Sequence, residues 1–180
     1  MKFSRQKDCV VQGAAMWCQL ACYLTIVRSS NTRDVLRKIN FANGFDLAHP
    51  NNEAFMNEIF HAIGRPPNVA KGFSLDEFNI INRKFGFNVP MPTTYESIAN
   101  MPSRRAYFDL FNRKSGYIIL KFHTGQARHF CILTDVKAGG LLIYNPQGRY
   151  NEPLTFNSNN NTYYWGEVTN GWPLVAYQEL

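Results

Sequence analysis

The stretch Gln12-Gly13-Ala14-Ala15-Met16-Trp17-Cys18-Gln19-Leu20-Ala21-Cys22-Tyr23-Leu24 is the segment on which the fold and the chemistry of this chain depend. It places a glutamine six positions before a cysteine, with a glycine-containing loop between them and an apolar helical pattern after them. The N-terminus of a helix carries a partial positive charge, which favours a thiolate at Cys18. The amide of Gln12 can fold back and donate a hydrogen bond to an oxyanion beside the sulfur. The segment therefore predicts a nucleophilic thiol and an oxyanion donor.

Two apolar runs further along the chain can supply a base and a residue that orients it. His129 begins the first run and Asn145 ends the second, with a hairpin-turn sequence at Gly139-Gly140 between them. A hairpin brings both residues towards the same end of the strand pair. A tight turn on the two glycines would set His129 opposite Tyr150, so a β-bulge or a longer loop must bring Asn145 closer. We expect His129 to be the base and Asn145 its orienter.

The order of the predicted elements indicates an α+β fold. Helical patterns dominate to about residue 115 and strand patterns from about residue 116, within a single predicted domain of residues 1–180. Helices are predicted at about 16–28, 31–44, 51–63, 74–86 and 103–114, with another capping-box candidate at Thr93–Glu96. Strands are predicted at about 117–122, 129–136, 141–144, 154–156, 163–168 and 174–177. We expect the helix of Cys18 to pack on an antiparallel sheet.

Composition restricts the possible classes of function. The chain has 180 residues, of which 45% are hydrophobic and 18% charged, as in a globular domain with a substantial core. The formal net charge is +6, but the basic residues are scattered and form no run or zinc-finger spacing, so we predict no nucleic-acid partner. No apolar run is long enough to span a bilayer, and Met1–Asp8 lacks a secretory signal pattern. We therefore expect no stable membrane insertion.

Four cysteines compete for the role of nucleophile: Cys9, Cys18, Cys22 and Cys131. A chain of this size does not need a disulfide framework. The Cys and His residues do not form the two closely spaced pairs of a zinc site, so we predict neither a metal nor a cofactor. A cysteine in an apolar helix is more often a core residue than a nucleophile. Only Cys18 has a glutamine six positions before it. A working thiol also requires a reducing compartment.

The base and the orienter each have a rival. His123 ends a strand pattern and precedes Thr124-Gly125, as an ordinary loop histidine would. Asp135 could orient an imidazole, but it lies on the same predicted strand as His129 and cannot easily fold back onto it. Asn145 could instead be a simple turn residue, because Asn-Pro followed by glycine favours a turn.

Taken together, Gln12, Cys18, His129 and Asn145 resemble the catalytic set of papain-like cysteine peptidases. That family has an oxyanion-hole glutamine six positions before a cysteine that opens a long helix, and then a histidine followed by asparagine or aspartate. The segment from His129 to Pro146 resembles the compact bacterial branches, which are bacteriocin-exporter peptidase domains, plant-pathogen effector proteases and papain-fold toxins. Asparagine stands where those branches more often have aspartate, and tryptophan precedes the cysteine rather than following it. The resemblance covers only Gln12–Leu24 and His129–Gly148.

The resemblance implies a cysteine peptidase that hydrolyses amide bonds of a protein substrate. It also implies a bacterial effector or toxin that acts on a host or competitor protein in a reducing cytosol, delivered by a route without an N-terminal signal peptide. The run Asn145-Pro146-Gln147-Gly148 resembles toxin-like glutamine deamidases of the same fold, so a deamidase or a transglutaminase-like enzyme stays open as an alternative. A non-catalytic binding module is the remaining alternative. Under the enzymatic interpretations, Asn145→Asp is expected to be tolerated better than Asn145→Ala.

Overall fold

The chain combines helices with an antiparallel sheet and divides into two compact units. The computed structural model describes residues 3, 6–13, 17–38, 46–67, 72–89, 93–125 and 127–180. The first unit, here the sheet unit, comprises Met1–Ser4, Pro92–Asn145 and Arg149–Leu180. The second, the helical unit, comprises Arg5–Met91 and Pro146–Gly148. The division along the chain falls near residue 92 rather than at 115, because the last helix belongs with the strands.

The sheet unit contains one helix and all the strands of the described residues. The elements are β1 (Glu96–Ser97), α5 (Arg104–Asn112), β2 (Ile118–Thr124), β3 (Ala127–Lys137), β4 (Gly140–Asn145), β5 (Arg149–Pro153), β6 (Thr155–Asn157), β7 (Thr162–Trp165) and β8 (Trp172–Glu179). Within the described residues the strand order is β5-β4-β3-β2-β8-β7-β6, with β1 paired to β8. Every strand pair is antiparallel. Long apolar runs lie in the central strands, where both faces can be covered.

The core of the sheet unit is rich in aromatic side chains. Tyr107 and Phe111 lie four residues apart on α5 and therefore share one helix face. Tyr107 meets Tyr163 edge to face at 5.1 Å, and Phe111 meets Tyr177 in the same way at 5.5 Å. These contacts bind α5 to β7 and β8 through large buried apolar areas.

The β3–β4 hairpin contains the irregularity that its sequence predicts. Lys137 pairs with Gly140 around a turn of Ala138 and Gly139, one position before the turn expected at Gly139-Gly140. The register shifts between Leu133 and Asp135. Thr134 is the extra residue, and a β-bulge of this kind bends and twists its strand. On the side of the bulge away from the turn, Ile132 and Tyr144 form the last residue pair of the hairpin. Asn145 is the residue that follows Tyr144.

The helical unit is built around α1 (Cys18–Ser30), which is buried over nearly its whole length. The other helices are α2 (Arg33–Lys38), α3 (Glu53–Ala62) and α4 (Leu75–Phe85), with short 3₁₀ turns at Gln6–Asp8 and Pro50–Asn52. Tyr23 of α1 packs on Phe78 of α4 with ring centroids 4.3 Å apart. Among the described residues, no helix has the length and apolarity needed to cross a bilayer.

Local signals predict several element ends correctly. Ser74 and Glu77 form the predicted capping box of α4, and Gly86 ends that helix in the left-handed conformation. Ser103 caps α5 by accepting a hydrogen bond from Ala106 N–H. The predicted end of the second helix, at about residues 39–44, lies outside the described residues.

One expectation about the elements is wrong, and one strand was not expected. Thr93–Glu96 does not begin a helix: Thr93 bonds to the backbone of Glu179, and Glu96 starts β1. Strand β5 was not predicted, since its sequence is polar and alternates exposed with half-buried residues at the edge of the sheet.

Candidate active-site residues

The structure brings His129 and Asn145 together inside the sheet unit. His129 lies on β3 and Asn145 ends β4, and the distance from His129 Nε2 to Asn145 Oδ1 is 3.1 Å. Both residues are buried, and Asn145 is 0% exposed. Residues whose only role is to form a turn are normally at the surface. Burial of Asn145 against an imidazole therefore indicates a role beyond the turn.

Glu152 of β5 fixes the direction in which the Asn145 amide points. Asn145 Nδ2–H donates to Glu152 Oε2 at 2.9 Å, and an ionised carboxylate can only accept. The amide oxygen therefore faces His129, and His129 Nε2 must carry the proton of that hydrogen bond. In the neutral ring the lone pair is then on Nδ1, which is the atom able to accept a proton.

Two tryptophans of the sheet unit surround the imidazole. Trp165 stacks on His129 with centroids 4.0 Å apart, and Trp172 meets it edge to face at 6.3 Å. Burial lowers the pKa of His129 from 6.5 to about 4, although the Asn145 hydrogen bond and the Glu152 charge oppose that change. His129 is therefore neutral near pH 7. Neither tryptophan was singled out from the sequence, and no local pattern links them to His129.

Cys18 is the first residue of α1 in the helical unit, where the sequence predicts it. The residue before it, Trp17, is the N-cap and offers no side-chain capping bond. The first turn contains no acidic side chain. The Cys18 sulfur is thus at a positive helix end without a nearby carboxylate in that turn. Cys18 is buried and is not part of a disulfide.

The backbone around Gln12 is fixed in the helical unit. Gln12 N–H donates to Pro146 O at 2.8 Å, and the preceding residue, Val11, accepts from Leu47 N–H at 2.9 Å. The Gln12 side chain is buried, and its Oε1 has no hydrogen-bond partner within the described part of the chain. A buried amide left unpaired costs roughly 1–3 kcal/mol, and such groups often have a functional reason. Gln12 therefore combines a hydrogen-bonded backbone with a buried amide oxygen that has no partner among the described residues.

The other cysteines are in environments unfavourable to a reactive thiol. Burial and the Asp8 charge raise the pKa of Cys9 to about 12, against the opposing effect of Arg28. Burial raises the pKa of Cys22 well above its ordinary value. Cys131 is 0% exposed and belongs to the apolar core of the sheet unit.

The rival base and orienter make contacts other than the His129–Asn145 hydrogen bond. Because Phe122 is the residue that pairs with His129, His123 next to it faces the opposite side of the sheet. His123 is half-buried on β2, where it pairs with Arg128. The Asp135 carboxylate bonds to Val136 N–H at 2.8 Å and faces Lys137 at 3.5 Å. Both contacts of Asp135 are to its own strand, six or more residues beyond His129.

The run after Asn145 has a structural explanation. Pro146, Gln147 and Gly148 form the β4–β5 connection, across which Asn145 pairs with Arg149. Gly148 has a φ of 99°, a conformation that favours glycine. Proline and glycine are therefore explained by the turn, and Asn145 hydrogen-bonds to the imidazole.

Within the described residues, no group of three or more His, Cys, Asp and Glu side chains is placed to hold a metal ion. Comparison of the chain with models of protein families, with curated proteins and with solved structures gives no significant match.

Proposed function

We propose that this protein is a cysteine peptidase of papain-like fold, with Cys18 as nucleophile, His129 as base, Asn145 as orienter and Gln12 as oxyanion donor. The observation that carries the proposal is the buried His129–Asn145 hydrogen bond, at 3.1 Å, with the amide held in one orientation by Glu152. Thiol and serine enzymes use such an arrangement, in which a histidine acts as the base and a second polar residue orients its ring. The position of Cys18 at the start of α1 supports the same assignment. The buried Gln12 side chain, six positions before Cys18, carries the Nε2–H group that would donate to the oxyanion.

The first chemical step transfers one proton and forms one bond. Cys18 Sγ attacks the carbonyl carbon of a substrate amide while His129 Nδ1 accepts the thiol proton. The carbonyl oxygen becomes an oxyanion, which the Gln12 amide and the Cys18 backbone N–H stabilise. The mechanism requires the thiol and the imidazole to come within hydrogen-bond distance in the working enzyme.

The remaining steps return the enzyme to its starting state. The imidazolium gives its proton to the leaving nitrogen, the C–N bond breaks, and a thioester to Cys18 remains. His129 then takes a proton from water, which attacks the thioester and releases a carboxylate and the free thiol. A peptide amine as leaving group gives proteolysis, and ammonia from a glutamine side chain gives deamidation.

The protonation state of His129 refines this mechanism. Two resting states are possible for such a pair: an imidazolium beside a thiolate, or a neutral imidazole beside a thiol. The His129 pKa of about 4 favours a neutral imidazole that removes the thiol proton during attack. A thiolate brought close to the ring would raise that pKa, so the pH dependence of the Cys18 reaction distinguishes the two cases.

The test is mass spectrometry of candidate protein substrates incubated with the wild type and with Cys18→Ala. Fragments that depend on Cys18 support the peptidase. Intact substrate with a glutamine-to-glutamate change would mean deamidation with the same residues. Tight binding of a protein, with no covalent change to it, would contradict the enzyme and favour a binding module.

A matched pair of histidine variants tests the base. His129→Ala should abolish turnover with the fold intact, and His123→Ala should keep most of it. The reverse pattern would remove His129 from the mechanism.

The biological setting proposed for the activity follows the resemblance of the motifs. The substrate class is a protein of a host or competitor cell, and the site of action is a reducing cytosol in which Cys18 stays a free thiol.

A further inference from the structure

A chain of polar contacts leads from the surface of β5 to the buried imidazole. Arg149 is exposed and forms an ion pair with Glu152 at 3.3 Å. Glu152 has a side chain only 18% exposed and accepts from Asn145, which in turn accepts from His129. Glu152 is therefore the point at which this chain of contacts enters the interior.

The Glu152 carboxylate matters because the amide group of an asparagine can rotate by 180°, which exchanges the positions of Oδ1 and Nδ2. If it turned over, Nδ2 would face His129 and donate to Nε2, so the ring proton would move to Nδ1. That tautomer has no lone pair on Nδ1 and could not accept a proton there. A carboxylate can accept from Nδ2–H but cannot donate to Oδ1, so it permits only one of the two amide orientations.

We propose that Glu152 is a positioning residue that acts through Asn145 to hold His129 in the Nε2–H tautomer, with the lone pair on Nδ1. The tautomer follows from the contacts themselves, and only its value to catalysis rests on the proposed function. Position 152 also accounts for asparagine rather than aspartate at position 145, because the residue at 145 must donate to Glu152 and accept from His129 together.

The direct test is a long-range ¹H–¹⁵N correlation spectrum of the ¹⁵N-histidine-labelled protein near pH 7. The wild type should show a pyrrole-type Nε2 and a pyridine-type Nδ1 for His129. Glu152→Met keeps the length of the side chain and removes the acceptor, so Nδ1 should shift towards the pyrrole-type position. Arg149→Ala removes only the exposed ion pair and should leave both nitrogens unchanged.

Three results would overturn the proposal: a wild-type His129 protonated on Nδ1, a Glu152→Met spectrum like that of the wild type, or an Arg149→Ala spectrum like that of Glu152→Met. Circular dichroism and thermal unfolding establish that each variant is folded. Glu152→Ala is the second variant if the methionine is not tolerated, with the same expected shift.

An activity measurement separates this proposal from the proposed function. With a Cys18-dependent substrate, Glu152→Met should lower kcat with little change in KM. A tautomer change in a protein without any Cys18-dependent turnover would leave the role of Glu152 standing and contradict the peptidase. Unchanged kcat in a variant whose tautomer has changed would overturn the catalytic value of Glu152.

Discussion

The indole of Trp165 covers one face of the His129 imidazole, with the two ring planes 21° from parallel and their centroids 4.0 Å apart. The stack separates the imidazole from water, and burial is the main cause of its lowered pKa. The same contact thus keeps the ring neutral and keeps it in place.

Trp165→Leu should raise the pKa of His129 from about 4 towards 6.5, because it re-exposes one face of the ring to water. Trp172→Leu is the matched control and should raise it less, since Trp172 meets the ring only edge to face at 6.3 Å. An NMR pH titration of the His129 ring measures both variants. Equal pKa values in the wild type and Trp165→Leu would show that the stack does not cause the shift.

Stability should fall with acid in a window set by His129. The unfolded imidazole binds a proton below about pH 6.5, whereas the folded one does so only below about pH 4. The unfolded state therefore binds more protons between these values, and the free energy of unfolding should drop by on the order of 3 kcal/mol as pH falls from 6.5 to 4. Urea unfolding at several pH values measures this for the wild type and His129→Gln. The glutamine variant should lack this part of the pH dependence, and identical slopes would contradict the prediction.

Cys18 should react with iodoacetamide before the other cysteines at and below neutral pH. Cys9 and Cys22 have raised pKa values, and Cys131 is fully buried, so each should label slowly until the protein unfolds. Peptide mass spectrometry over time gives the four rates. His129→Ala should slow the labelling of Cys18 alone, and faster labelling of Cys9 than of Cys18 would count against the proposed nucleophile.

Gln12→Ala should lower turnover by on the order of 10²–10³, the usual loss for one oxyanion donor, while changing stability by about 1 kcal/mol or less. Gln19 provides a matched control, since its amide both donates to Phe73 O at 3.2 Å and accepts from Phe73 N–H at 2.7 Å. Gln19→Ala should cost about 1–3 kcal/mol of stability and leave the turnover of the folded fraction unchanged. Steady-state kinetics and urea unfolding on both variants check the contrast.

Asn145→Asp should be poorly tolerated, contrary to what the sequence alone predicts. The new carboxylate could still accept from His129, but it would face the Glu152 carboxylate, which now accepts from Nδ2 at 2.9 Å. Adding Glu152→Gln to the same chain should restore stability, because the glutamine amide can donate to the carboxylate introduced at position 145. A double-mutant cycle by urea unfolding should give a coupling of roughly 1–3 kcal/mol, and additive effects would show that the two side chains do not interact.

The sequence predicted the parts of the structure that depend on neighbouring residues. The capping box at Ser74, the end of α4 at Gly86 and the start of α1 at Cys18 all depend on contacts within a few positions. The hairpin between β3 and β4 is also local, and its sequence alone required a bulge or a longer loop for Asn145 to come near His129.

The parts that the sequence did not predict depend on distant partners. Thr93 is bonded to Glu179, 86 positions away, which overrides its capping-box pattern. Trp165 lies on β7, which is connected to β3 in the sheet through β8 and β2, so its contact with His129 depends on the order of distant strands. Glu152 could have been found from the alternation in β5, where the even-numbered residues are half-buried, once that strand was placed next to β4.

Gly13, Gly64 and Gly86 share the same backbone φ of 66°, but they should differ in how well they tolerate substitution. At Gly64 and Gly86 a Cβ atom would meet nothing within 4 Å, so asparagine, which tolerates this conformation, is an available replacement. At Gly13 the added atom would collide with the Ala48 side chain and lie 2.7 Å from Ala48 N, on backbone that cannot move aside. A homologue that keeps the Gln12 loop must therefore keep glycine after it, which makes Gln-Gly a more dependable marker of ancestry than the helix ends.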